Sequence, residues 1–139
     1  MPIVSVTRMR VRSTSLMPLF LIHARRAIAQ IRKAEGHLAG AVKRDGNFAY
    51  WTMSVWRDEN AIQAYVSGGA HRTAMSHLRN WGIEASMVRW AQNETNLPDW
   101  PEAARRLRKD GRAAKLEHPG PDHADRTWPK PTGGSDLRF

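Results

Sequence analysis

Between His37 and Trp56 the sequence reads HLAGAVKRDGNFAYWTMSVW, and this segment carries the clearest structural signal in the chain. Asp45-Gly46 is a strong signal for a tight hairpin, because the turns that match the twist of paired strands need positive φ angles. The flanking residues alternate in hydrophobicity and are rich in β-branched and aromatic side chains. The segment therefore predicts two antiparallel strands, strand two at His37–Arg44 and strand three at Phe48–Trp56.

Strand three is apolar on both faces. Alternation divides its side chains into two sets: Phe48, Tyr50, Thr52, Ser54 and Trp56 on one face, and Ala49, Trp51, Met53 and Val55 on the other. A strand with two apolar faces is expected to be covered on both sides. We therefore expect helices on one face and a further apolar layer on the other.

Outward from this hairpin, the same periodicities predict a strand and a helix before it and a helix and a strand after it. Gly36 is expected to end the first helix in the left-handed conformation, and Ser67-Gly68-Gly69 to interrupt the second, with Ser67 capping its second half. The remaining elements are strand one at Ile3–Arg12, helix one after Ser13, helix two after Asp58, and strand four at Glu84–Ala91. The order β-α-β-β-α-β predicts a ferredoxin-like α+β fold with an antiparallel four-stranded sheet.

Two helices can cover only one face of such a sheet. The other face is expected to be bare and apolar, and a patch of that kind usually marks an interface. The sequence therefore predicts a homodimer that pairs through the open sheet face.

The composition changes after residue 94, so residues 1–94 are predicted to form the folded unit and residues 95–139 a C-terminal extension. The extension begins with a helix at about 100–109, for which Asp99 is a cap and Trp100 and Leu107 are the expected anchors on the barrel. A Pro-rich stretch follows and predicts an extended arm whose deletion, over 112–139, leaves folding intact.

Charge and cysteine content limit the classes of function. The 139 residues carry a net charge of +9 and a pI near 11.0, which favours an anionic partner: nucleic acid, a membrane surface or a small anion. The absence of cysteine excludes disulfides and Cys-ligated metals and fits a cytoplasmic location. No apolar run approaches the roughly 20 residues of a membrane span.

Motifs for nucleotides and metals are also missing. There is no G-x-G-x-x-G or P-loop pattern. His71 and His77 are six residues apart and lie on different sides of a helix, while His118 and His123 belong to the Pro-rich extension. No metal site is predicted.

His71 is the best candidate for a reactive group. It follows the glycine pair at the start of a helix, where free backbone N–H groups favour an anion, and it shares a helix face with Met75. Trp56, Tyr65 and Trp81 supply aromatic surface that predicts an apolar cavity between helices and sheet. Such a cavity suits a flat aromatic, polyene or porphyrin molecule.

These residues also carry a family resemblance. The pattern Ser54-Val55-Trp56, Ala61, Tyr65, Ser67, Ala70-His71-Arg72, Met75 and Trp81 resembles the second half of dimeric α+β barrel proteins. It is similar to uncharacterised members of the antibiotic-biosynthesis-monooxygenase group near spheroidene monooxygenase. The resemblance covers roughly residues 3–111.

The resemblance implies a homodimeric barrel and a monooxygenase-like protein that acts on a hydrophobic aromatic or polyene molecule inside each subunit. In that reading Trp56, Tyr65, Met75 and Trp81 line the pocket, and His71 shuttles a proton or ligates haem. Arg72 offsets negative charge on the substrate, or Arg8 or Arg10 does so if its strand face turns inward. The cofactor is left open between none and haem.

Two other functions fit part of the sequence. A non-catalytic dimer that holds a small ligand needs the same pocket. An RNA-recognition module has the same element order, and Phe48-Ala49-Tyr50 echoes part of its aromatic signature. Strand one offers no second stacking aromatic, so nucleic acid is the less favoured partner.

Overall fold

The computed structural model describes residues 1–46, 49–121, 123–124 and 136–139. The predicted start of strand three at Phe48 lies outside these residues, as do residues 122 and 125–135 of the Pro-rich arm. The strands are β1 Ile3–Val11, β2 His37–Asp45, β3 Ala49–Trp56, β4 Gly82–Ala91, β5 Arg112–Ala113 and β6 Leu137–Arg138, and the helices are α1 Met17–Arg32, α2 Glu59–Val66, α3 Gly69–Trp81 and α4 Trp100–Asp110. The architecture is mixed α+β, as the alternating periodicities predict.

All strands join one antiparallel sheet in the order β5-β4-β1-β3-β2-β6. The four inner strands form the ferredoxin-like core, with Val6 of β1 opposite both Met53 and Val88. The prediction of four strands is corrected to six, because the C-terminal extension adds one short strand to each edge. Unpaired N–H and C=O groups at a sheet edge favour such additions.

Helices α1, α2 and α3 cover one face of the sheet. Their apolar side chains meet Trp56, which has no accessible surface. The buried cluster on this side contains Ile31, Trp56, Ala61, Ile62 and Tyr65.

Helix α4 covers the opposite face, which the sequence predicted to be bare. Its side chains pack on the inner strands in one buried cluster: Val4, Val6, Trp51, Met53, Val55, Val88, Ala103, Ala104 and Leu107. The expectation of an open face for a second copy is therefore wrong for this chain. The physical reason is the short connection between β4 and α4, which lets an amphipathic helix fold back on its own sheet.

The break between α2 and α3 lies where the glycine pair predicts it. The cap differs from the prediction, because Gly68 and not Ser67 precedes the first turn of α3. Ser67 ends α2, and its hydroxyl donates to the Gln63 carbonyl. Gly69 has a φ of 58° and Gly36 a φ of 84°, both in the left-handed region that glycine favours.

His123 anchors the extension to the sheet. The Ala85 N–H donates to its Nδ1 at 3.2 Å, so Nε2 carries the proton and donates to the Ala114 carbonyl at 2.7 Å. With both ring nitrogens occupied by backbone groups, His123 is not available as a metal ligand.

The last residue packs on the other edge of the sheet. The Phe139 ring stacks on His37 with centroids 5.8 Å apart and lies against Gly40, where a Cβ atom would collide with it. The Phe139 N–H donates to the Gly40 carbonyl at 2.8 Å. The described parts of the extension thus contact both edges of the sheet.

No helix in the described part of the chain combines the length and the hydropathy needed to cross a bilayer.

Candidate functional site

His71 lies in the first turn of α3, on the side of the sheet covered by helices. Its ring contacts the Tyr65 ring with centroids 4.7 Å apart. Its Nδ1 atom is buried and has no hydrogen-bond partner among the described residues. A buried nitrogen without a partner is uncommon, since such atoms are normally paired, and it marks His71 as a group with spare binding capacity.

The Gln30 side chain of α1 forms hydrogen bonds with the backbone around His71. Its Nε2 donates to the carbonyls of Tyr65 and Gly68, each at 3.1 Å, and its Oε1 accepts from the His71 N–H at 2.8 Å. A Cβ on Gly69 would lie 3.1 Å from the same amide. One side chain therefore binds three backbone groups at the break between the helices, and for the His71 N–H it is the partner that the helix itself does not supply.

Two aromatic side chains form the wall beside His71. Trp56 packs on Tyr65 with ring centroids 5.1 Å apart and donates from Nε1 to the Ser54 hydroxyl at 2.9 Å. The Tyr65 hydroxyl donates to the Ala27 carbonyl at 3.2 Å. Burial raises the pKa of Tyr65 far above its usual value, so this phenol stays neutral at physiological pH.

Arg89 of β4 supplies the charge on this side of the sheet. Its Nη1 donates to the Glu59 carboxylate at 2.9 Å. Its Nε is buried and has no hydrogen-bond partner in the described ranges. Arg89 thus retains a donor as well as a positive charge next to the helix layer.

The protonation state of His71 follows from this environment. Burial lowers its pKa below the ordinary 6.5, the nearby Val66 backbone opposes the shift, and the charge of Arg89 adds to it. The imidazole is therefore neutral near pH 7. A neutral imidazole with a free Nδ1 can accept a proton, and a nearby guanidinium can stabilise the anion that remains.

The structure brings together only part of the predicted site. Trp56, Tyr65 and His71 are adjacent. Arg72 and Met75 are on the exposed side of α3, with Met75 40% accessible. Trp81 lies ten residues after His71, about 15 Å along the helix axis.

Trp81 belongs to a different cluster. Its ring stacks on His77 with centroids 4.7 Å apart and also contacts His23 at 5.1 Å. These three rings fill the contact between α1 and α3. Trp81 therefore does not share a wall with Trp56 and Tyr65.

Arg8 and Arg10, the alternative anion-binding residues, lie on the face covered by α4. They flank Glu84, whose carboxylate accepts from Arg8 at 2.5 Å and from Arg10 at 3.0 Å. The whole sheet separates them from His71. Their strand face does not turn toward the candidate site.

Sequence reasoning missed Arg89 and Gln30. One feature of the sequence could have indicated Arg89: it is a charged residue within the apolar run Met87–Ala91 of strand four. Gln30 had none, because its three partners lie 35 to 41 residues away in the chain.

Haem does not fit the residues around His71. The unpaired Nδ1 is buried, the Tyr65 ring lies beside the imidazole, and Trp56 and Tyr65 belong to the buried core cluster, so no ring nitrogen is presented to a haem iron. No group of three His, Asp or Glu side chains suitable for a metal is found among the described residues. We derive no step through either kind of cofactor.

Two further surfaces bear on the alternatives. Tyr50 packs on Phe20 of α1 with ring centroids 4.8 Å apart, so this aromatic is covered and cannot stack on an RNA base. Phe48, the other half of that signature, lies outside the described residues. An open depression lies at α4 and is not the predicted apolar cavity, because five of its six lining residues are charged. The lining residues are Asp99, Pro101, Glu102, Arg105, Arg108 and Lys109.

Comparisons with solved structures identify the fold. SnoaB from Streptomyces nogalater, a cofactor-independent oxygenase, superposes with a TM-score of 0.55 at 18% identity over 70% of this chain and 98% of its own. An antibiotic biosynthesis monooxygenase gives 0.59 at 10% identity, over 66% and 99%. Rv0793 from Mycobacterium tuberculosis gives 0.60 at 10% identity, over 68% and 97%. At such identities the similarity establishes the fold alone.

Sequence comparison identifies the family. A search of the curated proteins finds no match. The family model described as domain of unknown function DUF3291 matches residues 24–133, well over half of the chain. The fold is that of the antibiotic-biosynthesis-monooxygenase-like α+β barrels, and the chain belongs to the DUF3291 family.

Proposed function

We propose that this protein is a monooxygenase-like enzyme that acts without a cofactor on a hydrophobic aromatic molecule, in a pocket that forms inside the subunit beside His71 and Arg89 when the substrate binds. The observation that carries the proposal is the pair of buried nitrogens without partners, His71 Nδ1 and Arg89 Nε, next to an aromatic wall. The fold shared with a cofactor-independent oxygenase supports the same class of reaction.

The chemistry assigned to the pair is deprotonation followed by reaction with dioxygen. Neutral His71 accepts a proton from an acidic CH₂ group of the substrate, and Arg89 stabilises the resulting enolate. The enolate reduces O₂ and forms a bond to one of its oxygen atoms. The CH₂ carbon loses two hydrogens and becomes a carbonyl, while the second oxygen leaves as water with a proton returned from His71.

The roles predicted for Trp56 and Tyr65 remain part of the proposal. Both rings border His71 and offer flat apolar contact to an aromatic substrate. Arg89 takes the charge-stabilising role predicted for Arg72, because Arg72 is exposed.

Oxygen uptake by the purified full chain tests the proposal, with anthrone as the probe because it is an aromatic with an acidic CH₂ group. We expect uptake above the buffer rate at pH 7 without added flavin or metal. His71→Gln is expected to lower the rate by 10²- to 10⁴-fold. Arg89→Gln is expected to lower it by about 10²-fold.

Controls separate this site from its neighbours. Arg44→Gln removes an exposed arginine of β2 and is expected to retain the parental rate. A loss in Arg72→Gln as large as in Arg89→Gln would return the charge-stabilising role to Arg72. Quenching of tryptophan fluorescence by anthrone without oxygen uptake would favour the non-catalytic ligand-binding function.

A further inference from the structure

The outer face of α1 exposes three large aliphatic side chains within its first two turns. Leu19, Leu21 and Ile22 are 50%, 39% and 46% accessible. The buried side of the same helix is formed by Phe20 and Ile31, which contact the rest of the fold. A helix that already buries one apolar face does not need a second, so the exposed face requires another explanation.

The same face is strongly cationic beyond these residues. Exposed basic side chains follow the aliphatic residues along α1 and its C-cap and lie on the adjoining helix α3: Arg25, Arg26, Arg32, Lys33, Arg72 and Arg79. The sequence contains no Asp or Glu from residue 13 to 34 or from 68 to 83. Among the described residues none of these six forms an ion pair. Their charge is therefore not neutralised within the protein.

We propose that this face of α1 docks on an anionic lipid surface, without crossing the membrane. Aliphatic side chains flanked by Lys and Arg are the pattern of a helix that lies in the interface of a bilayer. The apolar residues enter the boundary between headgroups and acyl chains, while the cations contact lipid phosphates. At 1.5 Å per residue the 16-residue helix offers about 24 Å of contact.

The combination of groups favours lipid over the other anionic partners. RNA would use the cations, but it has no acyl layer to receive Leu19 and Ile22. An acidic protein would need a complementary surface shaped to these residues. Docking through α1 and catalysis at His71 and Arg89 are independent, since the His71 Nδ1 and Arg89 Nε atoms are buried and neither residue belongs to α1.

Sedimentation with lipid vesicles tests the docking face, using the full chain and vesicles of phosphatidylcholine alone or mixed equally with phosphatidylglycerol. We expect binding only to the mixed vesicles, with affinity that falls as salt rises. Arg25→Gln/Arg26→Gln is expected to weaken binding about fivefold for each charge removed. Leu19→Ser/Ile22→Ser is expected to weaken it by about tenfold.

A matched control removes the same charge elsewhere. Arg108→Gln/Lys109→Gln neutralises two exposed cations on α4, on the opposite side of the sheet, and is expected to retain parental binding. Equal loss in this control would show that net charge and not α1 is responsible, and would overturn the proposal. So would unchanged binding of the folded Leu19→Ser/Ile22→Ser variant, or tighter binding to RNA than to mixed vesicles at equal salt. Circular dichroism confirms that each variant is folded.

Discussion

Gln30 shows how one uncharged side chain can determine the geometry of a reactive group. Gln30→Met keeps the size of the side chain but leaves the His71 N–H without its partner, and it removes one of two donors from each of the Tyr65 and Gly68 carbonyls. We expect the free energy of unfolding to fall by about 1–3 kcal/mol, the usual cost of a shielded donor left unpaired. Urea denaturation measures the change.

The exposed Gln63 of α2 provides the comparison for Gln30. Gln63→Met is expected to change the free energy of unfolding by no more than about 0.5 kcal/mol. Equal effects of the two substitutions would mean that the Gln30 amide does not support the break between α2 and α3.

His71 also gives the fold a dependence on pH. Its pKa is lower in the folded state than the ordinary 6.5, so the unfolded chain takes up the proton first as the pH falls. The free energy of unfolding therefore decreases as the pH drops below about 7, until the folded-state pKa is passed. The contribution has a limiting slope of about 1.4 kcal/mol per pH unit.

Urea unfolding of the parent and of His71→Gln between pH 8 and pH 5 measures this contribution. The variant is expected to show the smaller slope. Some slope will persist, since burial also lowers the pKa of His23 and His37. Parallel curves for the two proteins would contradict the assignment of a depressed pKa to His71.

At the scale of whole elements, α4 is an addition to the ferredoxin-like core, and it buries the face of the sheet opposite α1, α2 and α3. Leu107 has no accessible surface and packs among Val6, Met53 and Ala103. Leu107→Ala is expected to lower the free energy of unfolding by about 2–5 kcal/mol, because it leaves a cavity in that cluster. Chemical denaturation is again the measurement.

Leu38→Ala is the matched control for α4, since Leu38 is exposed on β2. Its expected cost is about 0.5 kcal/mol or less. A small cost at Leu107 as well would mean that α4 contributes little to the stability of the sheet.

At the scale of the whole molecule, α4 changes the expectation for assembly. The apolar face that would drive sheet-to-sheet pairing is already buried within the chain. Pairing through that face would first require α4 to leave, at a cost of the same order as burying its apolar side chains. Light scattering at micromolar concentration is therefore expected to give the 15.8 kDa mass of one chain.

A mass twice as large would contradict this expectation. Leu107→Ala then distinguishes two kinds of dimer, because weakening α4 strengthens a dimer made through the strands. A dimer made through another surface would retain its parental affinity.

The order of the four inner strands and of the helices followed from the sequence alone, whereas the edge strands β5 and β6 did not. Alternation in β1 and β3, the Asp45-Gly46 turn and the glycines after α1 and α2 act within a few residues, and local periodicity reports such short-range preferences directly. Trp56, Tyr65 and His71 were also proposed for the site this way, because each is large or reactive and each lies near the end or the start of an element, and the structure places their rings next to one another.

Tertiary structure decided what meets across the elements. Arg89 rather than Arg72 accompanies His71, Gln30 holds the helix break, and α4 rather than a second copy covers the strands. These outcomes depend on strand register and on which face a helix turns inward, and a shift of one residue moves every strand side chain to the other face. Such pairings join residues tens of positions apart, where local propensity carries no information and only the packing of the folded chain selects the partner.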